Sequence, residues 1–256
     1  MSRYDFSAPR LCLEASLAAG VEIALGREQT NYLVNVLRLG VGDSILVFNG
    51  RDGEWLARLA AASKKAFSAR VVELRRAQEQ GPDIQYAFAP LKHARLDYIV
   101  QKAVEMGASR LTPVLTARTQ ARRINGERMR ANAVEAAEQC GVLALPAIDA
   151  PVSLDAFLAA RPADRLLVFC DEDAPVADPV AALAGAAGSA RGVSVLIGPE
   201  GGFDEKERRS LAVQPGAIVL SLGPRILRAD TAGVAALALV GAVLGDWKSR
   251  ATRQDA

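Results

Sequence analysis

Short apolar runs broken by turn residues dominate the first part of the chain. Val21–Leu25, Asp43–Phe48, Glu54–Leu59 and Ala66–Leu74 have strand length and β-branched or alternating apolar residues. Asn49-Gly50 and Asp52-Gly53 supply turn chemistry between two of them. One helix, Glu28–Arg38, interrupts the series, with Leu33, Val36 and Leu37 on one side. Arg38 falls near its C-terminal end, where a cation suits the helix dipole. The pattern predicts a small β-barrel. Arg75–Asp83 then loses apolar periodicity and contains Gly81-Pro82, which marks a boundary between domains at 1–76 and 83–248.

Beyond the boundary, strands and helices alternate. Strands are expected at Ile84–Ala89, Leu111–Leu115, Arg165–Cys170, Val193–Gly198 and Ala217–Leu220. Helices are expected at Arg95–Met106, Glu127–Gln139, from Asp204 as cap to Ala212, and at Arg228–Leu244. Such alternation argues for an α/β domain with a mainly parallel sheet. Thr231–Gly245 is uncharged and rich in Ala, Val and Leu, yet it is shorter than the ~20 residues a membrane-spanning helix needs, so a buried helix is expected. A helix apolar around most of its circumference must be buried on several sides, and a dimer interface would supply part of that burial.

Composition narrows the chemistry. The net charge of +2 decides nothing about nucleic acid, but residues 92–130 hold nine Lys/Arg against three Asp/Glu, as a phosphate-facing strip would. Cys12, Cys140 and Cys170 lack metal or disulfide spacing, and a reducing cytoplasm suits them. His93 is the only histidine, which argues against His-based metal sites and Ser-His-Asp triads, so no metal is expected.

Two Gly/Pro-rich loops follow strands: Leu196-Ile197-Gly198-Pro199-Glu200-Gly201-Gly202-Phe203, and Leu220-Ser221-Leu222-Gly223-Pro224-Arg225-Ile226-Leu227-Arg228. In α/β sheets, ligands bind beyond the carboxyl ends of strands. Neither loop is a P-loop, a dinucleotide fingerprint or a nucleophile elbow. Such loops suit a neutral or cationic ligand held by backbone groups rather than a triphosphate.

Together, LIGPEGGF (196–203) and SLGPRILRADTA (221–232) resemble the two cofactor-loop signatures of the RsmE family, 16S ribosomal RNA uracil-N3 methyltransferases of the SPOUT superfamily. The resemblance extends along nearly the whole chain, through Val36-Leu37-Arg38-Leu39 with Gly42-Asp43, Gln101–Gly107, Thr112-Pro113 with Arg118, and Glu138–Gly141 with Pro146. The sequence departs from the family pattern at Ala117, Val142 and the Ala229-Asp230 pair.

The resemblance implies a PUA-like RNA-binding domain followed by a SPOUT domain with a C-terminal trefoil knot. It further implies S-adenosylmethionine as methyl donor, a homodimer, and small-subunit 16S rRNA as the partner. The cofactor would meet Ile197, Gly198, Pro199, Glu200, Gly201, Leu220, Ser221, Leu222, Gly223, Arg225, Ile226 and Leu227, with Phe169 and Cys170 walling the adenine. For catalysis, Arg228 is the candidate for stabilising charge on uracil oxygens, Glu200 for a donor contact or a loop-ordering pair with Arg225, and Asp230 for proton acceptance. Arg38, Lys64, Lys65, Lys92, Arg95, Lys102, Arg118, Arg122 and Arg123 are candidate phosphate contacts. Two alternatives stay open: the same chemistry on another RNA, and a ribosome-assembly RNA-binding protein that has lost catalysis.

Overall fold

The apolar runs of the first part of the chain pair into one sheet. Its elements are β1 (Arg10–Cys12), β2 (Glu22–Ala24), α1 (Arg27–Asn31), β3 (Ser44–Phe48), β4 (Glu54–Ser63) and β5 (Ala66–Arg76). The strand order is β1-β3-β4-β5-β2, with β1 and β3 parallel and the other pairs antiparallel. Alternate residues Ile45, Val47, Ala57, Leu59, Ala69 and Val71 point to one core, which Leu33 completes. The computed structural model describes residues 8–63, 66–92, 94–121, 123–172, 174, 178–188 and 191–248. These form two units, one of residues 8–80 with 137–144, the other of 81–136 with 145–248.

The helix expected over 28–38 is shorter. Its α-helical part ends at Asn31, Tyr32–Val36 widens into a π-helical turn, and Arg38 adopts a left-handed φ of 58°. The Leu37 amide donates to Tyr32 O at 3.0 Å and the Leu39 amide to Leu33 O at 2.9 Å, closing the turn around Arg38. Arg38 therefore terminates the helix instead of riding on its last turn, in a conformation that costs a side chain roughly 1–2 kcal/mol. The apolar positions do not share a face, since Leu33 is fully buried and Val36 is exposed.

The second unit holds β6 (Ile84–Phe88), α2 (Ala94–Glu105), β7 (Arg110–Leu115), α3 (Gly126–Cys140), β8 (Ala147–Ile148), β9 (Val152–Ser153), α4 (Leu154–Ala160), β10 (Arg165–Cys170), α5 (Pro179–Gly185), β11 (Gly192–Ile197), α6 (Glu205–Ala212), β12 (Ala217–Leu220) and α7 (Ala229–Val243). The last turn of α3 is counted with the first unit. The sheet order is β12-β10-β11-β6-β7-β8, with β9 also on β7, and every pair is parallel. A parallel sheet needs cover on both faces. Leu154, Phe157 and Leu158 of α4 and Leu211 of α6 pack with Ala87, Leu167, Phe169 and Leu196. Tyr86, offset by one residue from Ala87, lies under α2 and α7.

That second packing depends on Gly233. A Cβ there would sit 2.3 Å from the Tyr86 hydroxyl oxygen and 2.8 Å from Ile99 Cδ1, and both side chains are buried. Overpacking costs ~1–3 kcal/mol, against the ~1 kcal/mol that alanine gains over glycine in a helix. Gly233→Ala should therefore lower the Tm in thermal denaturation. Adding Tyr86→Phe removes the nearest atom and should restore part of the loss. A Gly233→Ala protein melting at or above wild type would refute this packing.

Candidate active site

The carboxyl ends of four neighbouring strands converge. Register places Cys170 of β10 beside Leu220 of β12, Phe169 beside Leu196 of β11, and Ile197 beside Phe88 of β6. The loops leaving β11 and β12 border a cleft of about 560 Å³ at this edge. That lies within the usual ~300–1,000 Å³ of small-molecule sites.

The first loop, residues 198–203, is braced from several directions. Its Gly202 takes a left-handed φ of 67°, and the Gly202 amide donates to Pro199 O at 2.8 Å. The Phe203 ring fills the space a side chain on Gly198 would need, with its nearest atom 3.1 Å from that Cβ position. Arg118 Nη1 donates to Gly201 O at 2.6 Å. Asp204 then caps α6 and accepts from the Glu207 amide, while the Glu207 carboxylate accepts from the amides of Asp204 and Ala117.

The second loop is built differently. None of the backbone groups from Ser221 to Leu227 is hydrogen-bonded to another described residue. Gly223 adopts a φ of 98°, open only to glycine at low cost. Amides and carbonyls that no described residue engages, set beside a cleft, offer directional contacts to a ligand. Arg228 ends the loop as N-cap of α7, where its carbonyl accepts from the Ala232 amide at 2.7 Å. Its side chain is exposed, caps nothing and makes no ion pair with a described residue.

Most of the expected cofactor residues meet at this cleft: Cys170, Ile197, Gly198, Pro199, Glu200, Leu220, Leu222, Gly223, Arg225, Ile226 and Leu227 line it, as does Arg228. Gly201 and Ser221 belong to the loops without lining the cleft, and Phe169 lies behind it, edge-on to Phe203 at 6.3 Å. Burial, with a smaller push from Asp171, raises the Cys170 thiol to about 12, which favours the neutral thiol over the reactive thiolate. Burial likewise raises the Tyr86 phenol beneath the cleft far above its usual range, so it stays neutral.

Glu200 does not pair with Arg225. It faces Arg95 at 3.7 Å, and Arg95 also faces Asp230 at 3.9 Å. Asp230 Oδ1 accepts from the Thr231 amide at 2.8 Å. Among the cleft residues that escaped the sequence reading are Glu172 and the pair Asp171 and Arg208, which meet at 3.0 Å. The strand-end position of the acidic pair Asp171-Glu172 was the available signal.

The candidate RNA contacts scatter. Lys92 and Arg123 are exposed, while Lys102 is held by Glu105 at 2.7 Å and lies 5.7 Å from the Tyr98 ring centre. Arg95 and Arg118 serve the cleft loops as above, and Arg38 ends the π-helical turn. Lys64, Lys65, His93 and Arg122 lie outside the described residues. Among the described residues there is no metal-binding group of acids, Cys or His, and no helix long and apolar enough to cross a membrane.

Comparison with known proteins agrees with this geometry. Residues 78–241 match an RNA methyltransferase domain family, and residues 25–72 match an RNA methyltransferase PUA domain. The chain is 32% identical over 244 residues to the ribosomal RNA small subunit methyltransferase E of Synechocystis sp., covering 93% of this chain and 76% of that one. It superposes on the crystal structure of a ribosomal RNA small subunit methyltransferase E from Neisseria gonorrhoeae bound to S-adenosyl methionine, with a TM-score of 0.81, 25% identity, and coverage of 94% and 99%. A putative methyltransferase from Legionella pneumophila, solved with the same cofactor, gives a TM-score of 0.78 at 30% identity, covering 93% and 99%.

Proposed function

The chain belongs to the ribosomal RNA small subunit methyltransferase E family, and on that premise we propose that it methylates N3 of a uridine in 16S rRNA with S-adenosylmethionine as donor. The observation that carries the reading is the pair of strand-end loops around one cleft, the second with a backbone from Ser221 to Leu227 that no described residue hydrogen-bonds. The residues fit this cofactor. Backbone groups of Leu222–Leu227 suit hydrogen bonds to a purine edge and ribose, Leu220 and Phe203 offer apolar surface, and Glu200 and Asp171 oppose positive charge. When bound, the cofactor supplies a methyl group activated by its sulfonium centre.

The remaining chemistry falls to this chain. Uracil N3 is an imide nitrogen that attacks well only after losing its proton, and the charge then spreads to O2 and O4. Arg228, exposed at the cleft and always protonated, stabilises that charge. The engagement of Asp230 with Thr231 and Arg95 favours a positioning role over proton acceptance, and the proton passes to water. We assign rRNA docking to a PUA-like domain at 1–76, with Arg38, Lys64 and Lys65, and catalysis to a domain at 83–248, with Lys92, Lys102, Arg122 and Arg123 on its phosphate side. A C-terminal trefoil knot, a homodimer with apolar α7 at its interface, and a cytoplasmic site of action complete the proposal.

Calorimetry should show S-adenosylmethionine or S-adenosylhomocysteine binding without added metal. Small-subunit rRNA from cells lacking the protein should lose one reverse-transcription stop at a uridine, restored by the purified protein. Absence of cofactor binding would overturn the methyltransferase reading. Cofactor binding with an unchanged small-subunit pattern would redirect the activity to another RNA.

A further inference from the structure

The two cofactor loops leave strands that are not neighbours, since β10 separates β11 from β12 in the sheet. Among the described residues, no hydrogen bond joins residues 198–203 directly to residues 221–228. Arg95 spans the gap. Its guanidinium faces Glu200 of the first loop at 3.7 Å through Nη1 and Asp230 of the first turn of α7 at 3.9 Å through Nε. The site of this cation is itself informative. Arg95 stands in the first turn of α2, where the positive end of the helix dipole disfavours a cation. Two carboxylates from elsewhere in the chain offset that cost. Asp230 in turn favours the first turn of α7, which begins directly after Arg228.

Resting on the function proposed above, we infer that Arg95 is a positioning residue: it sets the spacing of the two loops and so preorganises the cofactor cleft. It acts through Glu200 and Asp230 and needs no contact with the reacting atoms. The competing use of Arg95, as a phosphate contact for RNA, makes opposite demands on the same side chain. A clamp is engaged before RNA arrives, and its removal is felt by the cofactor. A phosphate contact is felt by RNA alone, with a reduced salt dependence of RNA binding.

The test uses the full chain. Arg95→Ala should weaken S-adenosylhomocysteine binding roughly 2–30-fold in calorimetry, the range expected for loss of two partly exposed ion pairs. Hydrogen exchange of the cofactor-free protein should quicken at Gly202, whose amide donates to Pro199 O, and at Ala232, whose amide donates to Arg228 O, while the central strands β6 and β11 stay protected. A double-mutant cycle with Glu200→Gln should be non-additive, because the second change removes a partner already lost. Arg95→Lys should recover part of the affinity. Equal cofactor affinity and equal loop exchange in wild type and Arg95→Ala, with weaker RNA binding, would overturn the clamp and leave the RNA role. Failure of the wild-type protein itself to bind the cofactor would instead strike the proposed function.

Discussion

Arg228→Ala should lower kcat and kcat/KM together by ~10²–10³ with cofactor affinity nearly unchanged, as expected for loss of one preorganised donor to a developing oxyanion. The structure separates this from a stability effect. Arg228 caps α7 only through its backbone, its side chain has no described ion-pair partner, and the acids that might have held it face Arg95 instead. Truncation therefore removes a guanidinium without removing a structural bond, and the Tm should stay within a degree or two of wild type. Arg228→Lys should recover only part of the rate, since a point charge cannot reproduce a planar fork aimed at two oxygens. Single-turnover methylation of small-subunit particles at saturating cofactor, beside a calorimetric titration, is the measurement. Turnover at the wild-type rate would remove Arg228 from catalysis. Normal turnover with a lowered Tm would make it structural.

The two glycine loops and the strands before them were legible because local composition carries them: apolar β-branched runs ending in Gly-Pro. The parallel strands of the second unit were legible for the same reason. The strands β1, β8 and β9, of two or three residues, carry no apolar run of their own, and the seven-residue α4 and α5 barely complete two turns. The helix at 28–38 misled because Leu33, Val36 and Leu37 imitate a stripe, while the π-helical turn and left-handed Arg38 rotate Val36 out to solvent. At the site, the loop positions came from the resemblance of residues 196–203 and 221–232 to a family signature. The ion pairs could not be read this way: Arg95, Glu200 and Asp230 meet only through the order of strands in the sheet. The sequence offered Arg95 and Arg118 only as RNA contacts; in the fold Arg95 faces Glu200 and Arg118 donates to Gly201 O of the first glycine loop.

The same blindness hid the strongest electrostatic feature of the first unit, and it yields the largest expected loss of stability. Glu54 opens β4 as an ordinary strand residue, yet its side chain is fully buried. Its Oε1 accepts from Arg10 Nε at 3.0 Å and its Oε2 from Arg76 Nε at 3.0 Å, while Arg76 Nη2 also donates to Gly141 O at 2.8 Å. Arg10 is buried as well, with a side chain 3% exposed. A buried ion pair adds modest net stability when whole, but removing one partner strands a desolvated charge and costs ~3–5 kcal/mol. Glu54→Ala removes the one carboxylate that both guanidiniums share. Glu54→Gln keeps the shape and one acceptor oxygen, so its loss should be smaller. Trp55, next in the chain and bonded through Nε1 to Asp52 O at 2.8 Å, is a local reporter of this unit. In a Trp247→Phe background, urea unfolding followed by Trp55 fluorescence should show the midpoint of Glu54→Ala falling far below that of the background and Glu54→Gln lying between. The strand-end cleft is lined by residues of the second unit, so, on the proposed function, S-adenosylhomocysteine binding should survive the substitution at urea concentrations where the first unit has already unfolded. A Glu54→Ala midpoint equal to that of the background would show that the two arginines find compensation without the carboxylate, and would refute its role as the charge centre of the unit.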